Sequence, residues 1–139
     1  MAIYFHNEGD DFNYKYKQKC RKWITEIVEN ALLQVGDINI IFSSDSYLLK
    51  INQEYLNHNY HTDVITFDYS ESRKISGDIF IGINKVKENS DRYGVSLISE
   101  INRVIIHGVL HLIGYDDGDE KGSRKMKKLE NEALNLWDK

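Results

Sequence analysis

The stretch "SLISEINRVIIHGVLHLIG", residues 96–114, is the most apolar helix candidate in the chain and largely decides the fold. Ser96 can cap its start, Glu100 lies in the first turn, where a carboxylate interacts favourably with the helix dipole, and Gly114 can end it. Its apolar side chains are Leu97, Ile98, Ile101, Val104, Ile105, Ile106, Val109, Leu110 and Leu112. Because these residues cover nearly all sides of the helix, we expect it to be largely buried.

Patterns on both sides of this helix predict the other elements. β-branched and aromatic residues indicate strands in "AIYFH", "INIIFS", "TDVITFDY" and "GDIFIGI", and the last two are expected to be antiparallel neighbours. Helical periodicity indicates helices in "KCRKWITEIVENALLQVG", "NKVKENSDRYG" and "SRKMKKLENEALNLW", and a further helix capped by Ser44 or Asp45. Gly36 and Gly94 are expected to end the first and third helices. The order βαβαββααα predicts an α+β fold, a small mixed sheet packed with helices.

Composition narrows the class of protein. At 139 residues the chain fits a single domain spanning residues 1–139, and 41% hydrophobic with 29% charged residues is typical of an ordinary globular protein. The net charge of -4 does not favour bulk adhesion to nucleic acid or to an anionic membrane. Cys20 is the only cysteine, so an intrachain disulfide and a thiolate metal cluster are excluded. The sequence shows no export signal or long apolar run, which predicts a cytoplasmic protein without a membrane partner.

Two histidines at the end of the apolar helix are the candidate site. His107 and His111 are four residues apart, so they lie on one face of the helix, one turn apart, where two ring nitrogens can bind one ion. Gly114 can turn the chain back and bring an acidic loop toward them, with Asp117 as the expected third ligand. An isolated pair with this spacing is more often a pair of hydrogen-bonded core residues. The apolar helix, the turn glycine and the carboxylates favour a metal site here.

The spacing H-x-x-x-H-x-x-G-x-x-D resembles that of the metzincin proteases, in which a helix, a turn glycine and a third ligand hold zinc. Those enzymes place a glutamate directly after the first histidine as general base. This chain has Gly108 at that position. A peptidase is therefore disfavoured.

The segment "HGVLHLIGYDD", residues 107–117, resembles more closely the pattern H-G-x-L-H-L-x-G-Y-D-H of the YbeY family of bacterial metal-dependent endoribonucleases. The resemblance continues upstream, where "INQEYLNHNYHTDVITF" is similar to the family's "LN..YR....TDVLSF" and "GDIFIG" to its "GDIVIS". It covers roughly residues 38 to 117. The resemblance implies a metal-dependent, single-strand-specific endoribonuclease that acts in ribosomal RNA maturation, including the 3' end of small-subunit rRNA, and in ribosome quality control.

The resemblance also implies a cofactor, partners and a chemistry. We expect one divalent metal ion, zinc, and RNA as partner, chiefly rRNA on the ribosome, with ribosomal or ribosome-associated proteins as further partners. A three-ligand metal with an open position increases the acidity of water and polarises a phosphoryl oxygen. Basic runs at "KYKQKCRK" and "KGSRKMKK" hold ten of the eighteen Lys and Arg residues and are candidate RNA contacts. The role of Asp63 stays open between a turn cap and the site.

The chain departs from the family pattern at two positions. Asp117 stands where the family has a third histidine, which is a mild change because two histidines and a carboxylate are a known zinc arrangement. Leu56 stands where the family has an arginine, the obvious group to hold a phosphate. Other phosphate-binding candidates are His58, His61, Arg73, Lys74 and Arg103. The second departure leaves two alternatives open, a metal hydrolase of another substrate such as a peptide, and a non-catalytic ribosome-associated protein with a structural metal.

Overall fold

The computed structural model describes residues 2–56 and 62–139, and its elements follow the predicted order βαβαββααα. The strands are β1 (Ile3–Glu8), β2 (Gln34–Ser43), β3 (Val64–Asp68) and β4 (Lys74–Gly82). The helices are α1 (Lys17–Asn30), α2 (Asp45–Leu56), α3 (Ile83–Tyr93), α4 (Leu97–Ile113) and α5 (Glu120–Trp137). The α+β class is confirmed.

The four strands form one mixed sheet in the order β1-β2-β4-β3. The pairs β1–β2 and β2–β4 are parallel, while β3 and β4 are antiparallel, as the sequence predicted for this pair. Alternate residues of β4 enter different clusters, because Ile79 and Ile81 join the main core and Phe80 packs against a smaller cluster that contains Leu48 and Ile51 of α2. Helices therefore lie on both faces of the sheet.

Helix α4 is the central helix of the core. Ser96 caps it, since its Oγ accepts a hydrogen bond of 3.1 Å from the backbone N–H of Ser99. Gly114 ends it with a φ of +124°, a value that L side chains rarely adopt. Ten of its residues are buried, including Ile101, Ile105 and Val109. The helix packs against β3, β4, α3 and α5, so its last turn is held in a fixed place.

The end of α1 differs from the prediction. The helix ends at Asn30, six residues before Gly36, and Leu32 reverses the chain with a φ of +63°. Strand β2 then begins at Gln34, whose N–H donates to the Arg73 carbonyl beside β4. Gly36 lies inside β2 at a register irregularity against β4, where an added Cβ would collide with the Ser76 side chain. These residues pair with β4 and so cannot continue the helix. Gly36 is needed because its Cα lies too close to the Ser76 side chain for a Cβ atom to fit between them.

The start of α5 also differs, because the helix begins at Glu120 and not near Ser123. Asp119 caps it by accepting a hydrogen bond of 2.6 Å from the Gly122 N–H. The predicted caps Ser44 and Gly94 are confirmed, the first by a bond from the Tyr47 N–H and the second by its left-handed conformation.

Within the described ranges, no individual helix is long and apolar enough to cross a membrane. Helices α3 and α4 reach the required length and composition only as a pair, across a break at which the chain bends by 118°.

Candidate metal centre

The last turns of α4 and the loop after it bring three side chains together. The Nε2 atoms of His107 and His111 are 3.0 Å apart. Gly114 turns the chain, and Asp117 returns so that its Oδ2 lies 3.4 Å from Nε2 of His107 and its Oδ1 lies 3.4 Å from Nε2 of His111. These three residues form a group that could hold a metal ion.

Hydrogen bonds at the far side of each ring orient the two histidines. Nδ1 of His111 lies 3.0 Å from the carbonyl oxygen of Tyr115, and Nδ1 of His107 lies 2.7 Å from Oε2 of Glu130. A carbonyl oxygen and a carboxylate only accept, so Nδ1 is the donor in both rings. In a neutral imidazole this leaves a lone pair on each Nε2. Two lone pairs at 3.0 Å repel each other unless a cation or a proton lies between them.

The donor set fits a divalent ion. A tetrahedral zinc ion with bonds of about 2.0 to 2.1 Å keeps its ligand atoms roughly 3.3 Å apart. The distances from Asp117 to the two rings, 3.4 Å each, agree with this value, and the distance between the two rings, 3.0 Å, is only slightly shorter. Two imidazoles and a carboxylate leave the fourth position of such an ion for water or substrate.

The environment of His107 changes its pKa in two opposing directions. Burial lowers the pKa of this ring, but the hydrogen bond and negative charge of Glu130, with the charges of Asp117 and Asp63, outweigh burial and raise it above the ordinary value. The surroundings of His107 therefore favour positive charge, which a proton or a metal ion can supply.

Glu130 is a site residue that sequence reasoning missed. Its side chain on α5 bonds His107 through Oε2 and forms an ion pair of 3.0 Å with Arg103 through Oε1. Arg103 also donates to Oδ1 of Asn131 at 2.9 Å. The sequence did contain a signal, because Glu130 lies four residues after Met126 on the apolar side of the amphipathic helix α5. A charged residue in such a position is rarely buried without a partner.

The other carboxylates of the acidic loop have local roles. Oδ1 of Asp116 accepts a bond of 3.0 Å from the Gly118 N–H, and Asp119 caps α5. Asp63 and Glu100 line a small cavity of about 300 Å³ that also includes His107 and Asp117. Glu100 is buried, and desolvation is the main cause that raises its pKa. Of the carboxylates in the loop, Asp117 is the one placed against both histidines.

Two larger cavities also include residues of this group. The first, of about 700 Å³, is here called the sheet-side cavity, and it runs along β3 past Thr66 and Asp68 to His107, His111 and Asp117. The second, of about 540 Å³, is here called the helix-side cavity, and it lies between the end of α3, α4 and α5. It also reaches His107 and Asp117. Both of these cavities therefore reach residues of the candidate metal position.

The predicted phosphate-binding residues lie in different places. Arg103 is at the site, in the wall of the helix-side cavity. Arg73 lies in the β3–β4 turn and donates to the Leu32 carbonyl, and Lys74 begins β4, so neither lines the two cavities. His58 and His61 lie outside the described residues.

The two basic runs also differ in position. In the first run, Lys19 lies over the ring of Trp137 at 4.4 Å and Arg21 donates to the Ile3 carbonyl at 2.8 Å, both away from the cavities. In the second run, Lys127 lines the helix-side cavity. One of the two runs thus reaches the candidate site.

An α+β fold in which two histidines and a carboxylate surround an open position, beside cavities large enough for a substrate, is typical of mononuclear metal-dependent hydrolases. A family model described as Endoribonuclease YbeY matches residues 4–138. The chain therefore belongs to the YbeY endoribonuclease family, which confirms the resemblance carried by residues 107–117.

Individual relatives agree with this assignment. An Endoribonuclease YbeY from Flavobacterium psychrophilum is 43% identical over 127 residues, covering 91% of each chain. One from Bacteroides thetaiotaomicron is 37% identical over 134 residues, covering 96% of this chain and 98% of the relative. The solution structure of the protein TM1509 from Thermotoga maritima is similar with a TM-score of 0.67 and 27% identity, covering 96% of this chain and 91% of that one.

Proposed function

We propose that this protein is a metal-dependent, single-strand-specific endoribonuclease that acts in the cytoplasm on ribosomal RNA, in maturation of the small-subunit rRNA 3' end and in ribosome quality control. One observation carries the proposal: the Nε2 atoms of His107 and His111 lie 3.0 Å apart, each ring is oriented by an acceptor at Nδ1, and Asp117 lies 3.4 Å from both Nε2 atoms. RNA as substrate is supported by the name that the relatives share. Partners would be rRNA and ribosome-associated proteins.

Zinc is the metal that we propose for His107, His111 and Asp117. The histidine and carboxylate donors, the spacing of their atoms and the open fourth position suit this ion. The chemistry that a bound divalent ion supplies is Lewis acidity, which increases the acidity of water and polarises a phosphoryl oxygen.

The chain's own residues would orient the reacting groups. Glu130 and the Tyr115 carbonyl hold the two rings, so the metal-facing nitrogens keep their positions. Hydrolysis consumes one water, breaks one P–O ester bond and transfers a proton to the leaving oxygen. Lys127, and Arg103 beside its ion pair with Glu130, line the cavity that includes His107 and Asp117 and could stabilise the charge of the phosphate.

The packing of Gly108 argues against the peptidase alternative. A Cβ atom at this position would lie 2.8 Å from Cγ2 of Ile79, because α4 is pressed against β4 here. The position at which metzincins carry their general base therefore faces the sheet and has no room for a glutamate. The other alternative, a non-catalytic ribosome-associated protein with a structural metal, is distinguished by measuring RNA cleavage.

Three measurements on the purified protein separate these functions. We expect about one equivalent of zinc after titration, metal-dependent cleavage of single-stranded RNA and no cleavage of casein. His111→Ala should lose both zinc binding and RNA cleavage. Cleavage that survives chelation and this substitution would indicate a contaminating nuclease. Casein hydrolysis lost in the same variant would favour a peptidase, and zinc binding with no hydrolysis would favour the binding protein.

A further inference from the structure

The helix-side cavity has the size and position of a substrate subsite. Its volume of about 540 Å³ is within the usual range of ligand pockets. Its lining includes His107 and Asp117 together with residues of α5 and of the α3–α4 connection. A molecule that places a phosphate at the candidate metal position can therefore extend into this cavity.

The two cavities differ in charge. The residues described along the sheet-side cavity include three carboxylates, Asp63, Asp68 and Asp117, and no lysine or arginine. The helix-side cavity is lined by Arg103 and Lys127 together with three carboxylates, Glu100, Glu130 and Asp117, of which Glu130 is ion-paired with Arg103. Phosphate groups of RNA are held mainly by lysine and arginine, so a polyanion is bound more favourably on the helix side.

The outer wall of the helix-side cavity carries an exposed aromatic ring. Tyr93 ends α3 and is 60% exposed, and Val95, after the left-handed turn at Gly94, is 42% exposed. Both residues line the cavity. Unstacked bases of single-stranded RNA bind by stacking on exposed aromatic side chains, whereas the stacked bases of a duplex are not available for this contact.

The wall on α5 presents polar groups at helical spacing. Ser123 and Lys127 are four residues apart, so they lie on one face of α5, and both line the cavity. Lys125 is exposed on the same helix but does not line the cavity. The lysine on α5 and the aromatic ring at the end of α3 thus line the same cavity as His107 and Asp117.

From these positions we infer that the helix-side cavity binds one nucleotide of single-stranded RNA, adjacent to the phosphate that is cleaved. Its base stacks on Tyr93, and its phosphate is bound by Lys127 and Arg103. This inference rests on the proposed function, which it extends by assigning the side from which the RNA strand enters. It also gives a structural reason for preference for single strands, because the stacking contact needs an unpaired base.

The test is binding of a short fluorescent single-stranded RNA to the full chain in the presence of a chelator, which prevents cleavage, followed by cleavage kinetics with zinc. Tyr93→Ala should raise Kd by about fivefold or more, and Tyr93→Phe should restore binding. Lys127→Ala should weaken binding and reduce the dependence of log K on log salt by about 0.7. The matched controls are Tyr4→Ala, an exposed tyrosine on β1, and Lys125→Ala.

The outcomes distinguish this subsite from the proposed function. Zinc affinity and circular dichroism should be unchanged in all of these variants, because none of the substituted residues is a proposed metal ligand. Absence of RNA cleavage in the unsubstituted protein would overturn the proposed function and the subsite together. Cleavage that His111→Ala abolishes, with Tyr93→Ala and Lys127→Ala equal to their controls, would overturn the subsite alone. If only Thr66→Ala weakened RNA binding, the RNA strand would be assigned to the sheet-side cavity and the helix-side subsite would be wrong.

Discussion

The Nδ1 atom of His107 on α4 lies 2.7 Å from Oε2 of Glu130 on α5. This contact joins a proposed metal ligand to a helix that contributes no ligand of its own. Oε1 of the same carboxylate is held by Arg103 at 3.0 Å. Glu130 is therefore fixed at both oxygens, and it determines which nitrogen of His107 faces the candidate metal position.

Glu130→Gln should lower zinc affinity while leaving the fold intact. The amide weakens the bond at Nδ1 and removes the charge that favours a cation at the ring, and loss of such a supporting contact ordinarily costs about 10- to 100-fold in metal affinity. Competition with a chromophoric chelator measures this change. Glu132→Gln, two residues along α5 on its exposed side, is the matched control. Equal zinc affinities in the two variants would contradict a positioning role for Glu130.

Asp117→Asn should also reduce zinc affinity, and by more than Asp116→Asn. Asp117 faces both imidazoles at 3.4 Å, whereas Asp116 accepts a hydrogen bond from Gly118 in the loop. An amide oxygen is a weaker ligand than a carboxylate and carries no charge for the ion. Isothermal titration of the metal-free proteins with zinc would decide between the two aspartates. If Asp116→Asn showed the larger loss, the ligand assignment would be wrong.

Local patterns in the sequence were sufficient to predict α4 and the grouping of His107, His111 and Asp117. The cap at Ser96, the apolar residues, the histidine spacing and the turn at Gly114 all lie within nineteen consecutive residues, so each could be inferred without knowing the rest of the fold. Asp117 followed from the same segment, because a turn after the helix returns the chain to it.

Features that depend on distant segments could not be inferred in the same way. The end of α1 is decided by pairing between β2 and β4, which are about 40 residues apart in sequence, so Gly36 was wrongly expected to end the helix. Glu130 reaches His107 only because α5 packs beside α4. The helix-side cavity likewise joins residues from three helices, and no sequence period relates Tyr93 to Lys127.

The pKa of His107 predicts a pH dependence of stability in the metal-free protein. Burial lowers this pKa, and the bond and charge of Glu130 raise it by more, so the folded value exceeds the unfolded value of about 6.5. A raised folded pKa gives stability that is fully present below about pH 6.5 and is lost as pH rises through the folded pKa.

Urea unfolding of the metal-free protein and of His107→Gln, at intervals from about pH 6 to 8, measures this contribution. We expect the free energy of unfolding of the unsubstituted protein to fall across that window relative to the variant. His111→Gln, which retains His107 and Glu130, is the control, and its free energy of unfolding should fall over the same pH range as that of the unsubstituted protein. Parallel curves for the unsubstituted protein and His107→Gln would show that the ring does not gain protons on folding.

Gly108→Ala should destabilise the protein even though alanine is the better helix former. The added Cβ would lie 2.8 Å from Cγ2 and 3.0 Å from Cδ1 of Ile79, both in the core. Overpacking of this kind costs about 1 to 3 kcal/mol, which exceeds the gain of about 1 kcal/mol in helix propensity.

Denaturant unfolding of the zinc-free protein measures the change in the free energy of unfolding, and Ile79→Ala provides the second arm of a double-mutant cycle. Because Ile79→Ala removes the atoms that collide, Gly108→Ala should cost less in that background, and should approach the stabilising effect of an ordinary Gly to Ala change in a helix. Equal costs in both backgrounds would mean that contact with β4 does not explain the glycine, and the structural reason for the absence of a glutamate at this position would fail with it.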